Sequence, residues 1–205
     1  MDTSKAISTA VVNLIVLAGI PLGIYALFHS LKHKRGIRAV LERAGLCIGE
    51  TRYLLQAAIA SLAVAIILFL VPFDLSLMTH EGNAMAGFAG AGIKPLTFLL
   101  ALLYGFLQTG FCEELFFRGL IAGSLSRRVK APWANILQAL IFLLPHLILL
   151  AIAPQAWPLL IVIFAGGLYA GWLRISSGSI LAPWLLHATA NSTMCLVIAS
   201  RTVAA

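Results

Sequence analysis

The chain has 205 residues, 61% of them hydrophobic and only 10% charged, with a net charge of +7. Soluble domains carry about a quarter charged residues, so this composition excludes a water-soluble enzyme and describes an integral membrane protein. Its three cysteines, Cys47, Cys112 and Cys195, are odd in number and form no CxxC pair, which argues against a disulfide framework or a thiolate zinc site. Cys112 reads as a small packing residue.

Hydropathy predicts six membrane spans, at 8–28, 54–73, 96–125, 132–152, 157–175 and 179–199, against the roughly 20 apolar residues needed to cross. The first run is too long for a signal-peptide core and lacks a basic leader, so it reads as a span that stays. After it come Lys32, Lys34, Arg35, Arg38, Arg43 and Arg52, offset by Glu42 and Glu50. Within this connection, 31–48 alternates apolar Leu31, Ile37, Val40, Leu41, Ala44 and Ile48 with the basic residues, the pattern of an amphipathic helix lying on the inner leaflet. The third span is long enough to be one tilted helix or two pieces broken near Gly110. Arg127, Arg128 and Lys130 follow it, and Arg174 closes the fifth, whereas the alternate connections hold Asp74, Glu81 and Lys94 or no charge. By the positive-inside rule the basic connections are cytoplasmic and both termini lie outside, as expected in a bacterial-type cytoplasmic membrane. Charge placed this way orients the chain in a bilayer and gives no reason to expect a nucleic-acid partner.

No internal repeat and no soluble segment is evident, so 1–205 is predicted to be a single integral membrane domain. The expected fold class is all-α: a polytopic bundle of about six transmembrane helices plus a cytoplasmic interfacial amphipathic helix. Small-residue pairs four apart, Gly19 with Gly23, Gly119 with Gly123 and Gly167 with Gly171, predict close helix approaches.

Of seven acids only Glu113 and Glu114 fall within a span, and Arg118 follows. Each such charge costs about 2.5 to 3.5 kcal/mol on insertion scales, so their retention points to use. Glu114 and Arg118 have the i, i+4 spacing of an ion pair and are expected to brace the site. Glu113 points about 100° away and is the free carboxylate, suited to activating water. His29, His33 and His80 lie in connections; His146 and His187 lie within spans, with Asn191 one turn beyond His187. At 1.5 Å rise per residue, Glu113 lies roughly 18 Å, His146 roughly 21 Å, His187 roughly 12 Å and Asn191 roughly 18 Å from the cytoplasmic ends of their spans. Groups at such similar depth on three helices predict a shared cavity. Pro145 is expected to kink its helix or free a carbonyl, while Gln108, Thr109 and Asn135 need no function.

Three spacings carry a resemblance: Glu113-Glu114-Leu-Phe-Phe-Arg118 (EExxxR), Phe142-Leu-Leu-Pro-His146 (FxxxH) and His187-Ala-Thr-Ala-Asn191 (HxxxN). In this order they resemble the CAAX protease and bacteriocin-processing (CPBP, or Abi) family of intramembrane proteases, which includes the type II CAAX prenyl endopeptidase. The resemblance implies a catalytic core over 96–199. In it Glu113 activates water with help from His146, while His187 and Asn191 stabilise an oxyanion and Glu114 and Arg118 support. It implies a membrane-associated peptide or protein substrate, prenylated in the CAAX case, and no cofactor; zinc at Glu113, His146 and His187 is the alternative. Other readings are a non-catalytic immunity or regulatory protein of the same fold and a proton-coupled transporter, the latter disfavoured by the lack of inverted repeats.

Overall fold

The computed structural model describes residues 2–202, and all regular structure among them is helical. Six helices are long and apolar enough to cross a bilayer. With one short helix they are named here α1 (Thr3–His33), α2 (Ile37–Arg43), α3 (Thr51–Leu70), α4 (Pro95–Leu125), α5 (Ala131–Ile152), α6 (Pro154–Ser177) and α7 (Leu181–Arg201). Helices are the natural form for such segments, because lipid offers no partner to an unpaired backbone group. Local sequence sets their ends: Asp2 caps α1 by accepting from the Lys5 amide at 3.1 Å, prolines occupy the first turns of α4 and α5, and Gly178 ends α6 at φ +75°.

The bundle is built around α4 and α7. In each, 44% of the most apolar stretch is buried, against 6% in α1. Helix α7 packs on α3, α4 and α6, α5 packs on α6, and α1 lies along both halves of α4. The outer faces of α1 and α3 are continuous rows of exposed leucine, isoleucine and valine, the surface a bilayer would cover.

The close approach of α7 to α4 depends on glycines the sequence patterning did not single out. A Cβ on Gly105 would stand 2.1 Å from Ser192 Oγ and 2.5 Å from the Ala188 carbonyl. One on Gly110 would stand 3.1 Å from the Ala188 Cβ. Of the predicted small-residue pairs, two serve as expected: Gly119 lies against the Ala44 carbonyl and Gly171 against Asn135 and Gln138. Gly23 faces open space and Gly19 meets only its own helix, so that pair is not an interface; in α1 this face turns away from the bundle.

Helix α4 is unbroken near Gly110. It contains widened π-type turns at Leu103–Phe111 and Glu114–Ala122, a form that recurs at functional sites. At Pro145, expected to kink the helix or free a carbonyl, the chain tightens into a 3-10 turn, Leu144–Leu147. The surface helix is shorter than its predicted 31–48. Its first residues belong to α1, which ends where Lys34 turns left-handed at φ +51°. Val40 and Ala44 are fully buried against the bundle, while Ile37 and Ile48 stay exposed, so only part of its apolar face is free for lipid.

The basic connections meet at one end. Arg127 Nη1 and Arg174 Nη2 both donate to the Arg43 carbonyl, at 3.4 and 3.0 Å. At the other end the segment after α3 folds onto the end of α7: the Gly92 amide donates to the Ala199 carbonyl at 3.1 Å and Arg201 to the carbonyls of Val71 and Phe69.

Replacing Gly105 by Ala is expected to cost about 1–3 kcal/mol through overpacking of α4 on α7. Gly23→Ala should leave stability unchanged or slightly raised. Thermal unfolding of both variants in detergent checks the contrast.

Candidate active site

The three motifs come together where α4, α5 and α7 meet. Glu114 is wholly buried and Arg118 is 1% exposed, with Arg118 Nη1 donating to Glu114 Oε1 at 2.8 Å. The predicted i, i+4 ion pair is therefore formed. The same Oε1 lies 2.8 Å from His187 Nδ1. An ionised carboxylate only accepts, so this contact places the proton on Nδ1 and turns Nε2 toward the site. His187 Nε2 stands 3.9 Å from Glu113 Oε2, and Glu113 retains 20% exposure. Neighbouring glutamates thus have opposite environments: one is sealed, with its Oε1 shared by Arg118 and His187, and the other is open.

His146 is half-buried. Its Nδ1 lies 2.8 Å from the Phe142 carbonyl, which can only accept, so Nδ1 is the donor here too and Nε2 is left with a lone pair. Phe142 explains the aromatic residue of its motif. Its ring is 4.8 Å from the His146 ring and 6.2 Å from the His187 ring, and the Arg118 guanidinium lies over it at 4.0 Å. One phenyl ring therefore spaces both imidazoles and covers the buried cation, a favourable stack in a desolvated setting.

Asn191 Nδ2 donates to Thr109 Oγ1 at 2.9 Å, and that hydroxyl donates to the Tyr104 carbonyl at 3.0 Å. The second bond spans five residues of the widened turn, so local helix geometry sets the orientation of an amide on another helix. Around this centre, polar clamps lock the helices. Trp184 Nε1 donates to the Phe106 carbonyl at 2.7 Å, and Gln138 Nε2 to the Gly167 carbonyl at 2.8 Å and Asn135 Oδ1 at 2.9 Å.

Two features escaped the sequence reading. One is the Glu114–His187 bond, which makes Glu114 an orienting group for the imidazole as well as the partner of Arg118. The other is Thr109. Its position four residues before Glu113, on the same helical face, was the available signal. Among the described residues no group of three or more His, Cys, Asp or Glu side chains stands close enough to hold a metal ion.

An acid, two imidazoles and an amide are thus set into an all-helical bundle of membrane-spanning helices. Residues 95–193, the part of the chain that carries all three motifs, match the family model described as "Type II CAAX prenyl endopeptidase Rce1-like", so this stretch is similar to the CAAX proteases. No curated protein and no solved structure matches the chain.

Glu114→Gln leaves Arg118 buried and unneutralised, and breaking a buried pair costs about 3–5 kcal/mol. The double variant Glu114→Gln with Arg118→Met should recover most of that loss. Denaturant titration of the single and double variants reads the coupling.

Proposed function

We propose that the protein is an endopeptidase that cuts a membrane-associated peptide with a water activated by Glu113. The observation that carries this reading is the contrast between the open carboxylate of Glu113, facing an imidazole nitrogen, and the buried, paired carboxylate beside it. Glu113 takes a proton from water as its oxygen attacks the scissile carbonyl carbon. The His146 Nε2 lone pair accepts from the same water and aligns it. The C–N bond then breaks as Glu113 returns the proton to the leaving amine, so no group is consumed.

The tetrahedral oxyanion needs donors fixed in advance, each worth about 10²–10³ in kcat. Asn191 supplies its amide, held by Thr109. His187 supplies Nε2–H when the ring is cationic, with its Nδ1–H held by the Glu114 carboxylate. In this reading 1–205 is one membrane domain with its catalytic core at 96–199. The end carrying Arg43, Arg127 and Arg174 faces the cytoplasm of a bacterial-type cell, as the positive-inside rule directs. A prenylated CAAX-type peptide is the first substrate to test, because the family's model is described by that activity.

Glu113→Gln is expected to lower kcat by about 10²–10⁴-fold while the protein stays folded, since it removes the base and little else. Cleavage at the native rate by the purified variant overturns the assignment. Metal participation is decided separately: activity should survive dialysis against a strong chelator. Loss on chelation with recovery on adding zinc would establish a metalloenzyme instead. Thr109→Val should reduce kcat by up to about tenfold with KM little changed, because Asn191 loses its acceptor and not its side chain. Steady-state kinetics on one peptide reads that split.

A further inference from the structure

Away from the catalytic cluster, at the end carrying the basic connections, a cavity of about 160 Å³ is lined by His29, Arg43, Ser124, Arg127 and Arg128. Arg174 adjoins it through the Arg43 carbonyl. The acids on this side are engaged elsewhere, Glu42 with Arg38 at 3.0 Å and Glu50 with Arg52 at 2.9 Å. Among the described residues, no carboxylate lies within ion-pair distance of Arg43, Arg127, Arg128 or Arg174. The Arg43 Nε atom is buried with no hydrogen-bond partner. Partial desolvation, then repulsion from Arg43, Arg128 and Arg35, lowers the Arg127 guanidinium from its ordinary value despite an attraction to Tyr25. Like charges are crowded here without a counter-ion.

Next to the cavity runs an apolar groove of about 490 Å³, lined by Pro21, Ile24, Tyr25, Phe28 and Phe116. Tyr25 joins the two, because its ring lines the groove and its hydroxyl accepts from Arg127 Nη2 at 2.9 Å. The composite is amphipathic, with a cationic recess at the mouth of a hydrocarbon channel. His29 is in the last turns of α1 and Ser124 at the end of α4, so the recess lies where lipid headgroups lie.

We propose that this recess and groove form a binding site for an anionic phospholipid, with the phosphate held by Arg43, Arg127 and Arg128 and an acyl chain along Ile24 and Phe28. A free phosphate would satisfy the arginines and leave the groove unexplained. A substrate carboxylate held in the catalytic cluster does not reach, since Arg127 lies just beyond the end of α4 and Glu113 twelve residues before that end, about 18 Å along the helix. The site is independent of the peptidase reading.

The test is native mass spectrometry of the full-length protein in a mild detergent, titrated with phosphatidylglycerol, phosphatidylcholine or inorganic phosphate alone. Wild type should retain phosphatidylglycerol about tenfold better than phosphatidylcholine, and the double variant Arg127→Gln with Arg128→Gln should lose that preference. Arg128→Gln alone, at a side chain with no hydrogen bond inside the protein, gives an intermediate loss in a variant that folds. Equal retention of both lipids by wild type, or undiminished preference in the double variant, overturns the proposal. Millimolar phosphate displacing bound phosphatidylglycerol without lipid competition would also overturn the lipid assignment.

Discussion

A guanidinium in the middle of a bilayer must be neutralised, and the way Arg118 is neutralised organises the rest of this molecule. Its partner, Glu114, lies one turn back on the same helix, so the pair costs no loop closure and forms with α4 itself. Glu114 then has one oxygen shared between two donors, and the second donor, His187, belongs to α7. Burying the pair therefore pins α7 against α4. The same bond fixes which nitrogen of His187 faces Glu113. Stability and chemical orientation come from one carboxylate, and Glu113 can remain unpaired because its neighbour absorbs the cation.

The glycines of α4 make this arrangement reachable. An imidazole can approach a carboxylate on a neighbouring helix at 2.8 Å only if the backbones run close, and Gly105 and Gly110 remove the side chains that would hold them apart. The widened turns in α4 do related work. They release the carbonyl that Thr109 uses and so determine how Asn191 is presented. Phe142 fills the remaining corner, touching both imidazoles and the arginine face. The aromatic of one motif thus serves residues of all three.

Much of this was legible in the sequence because bilayer energetics are unforgiving. Span number, the end gathering the arginines and the identity of the embedded polar residues all follow from where charge is tolerated. Helical spacing gave the Glu114–Arg118 pair outright. What stayed hidden depends on rotation about helix axes and on distances between helices. The Gly19 and Gly23 pair has the spacing of an interface yet faces outward, whereas Gly105 and Gly110, five apart, both face α7 because a widened turn brings residues five apart onto one face. Thr109 looked incidental for the same reason: its importance lies in a partner on another helix. The short reach of α2 was invisible too, since the left-handed turn at Lys34 is a backbone event that the amphipathic pattern runs straight through.

The order of the chain has a consequence for biogenesis. Helix α4 precedes α7 in the chain, and before α7 is made Glu113 lacks the His187 imidazole and Glu114 serves Arg118 alone. The internal ion pair lets α4 be accepted as a span in that interval. The glycine face and the open carboxylate remain an unfinished seam, exposed to lipid or to the insertion machinery. Helix α7 closes that seam, so the polar centre assembles as α7 docks on α4.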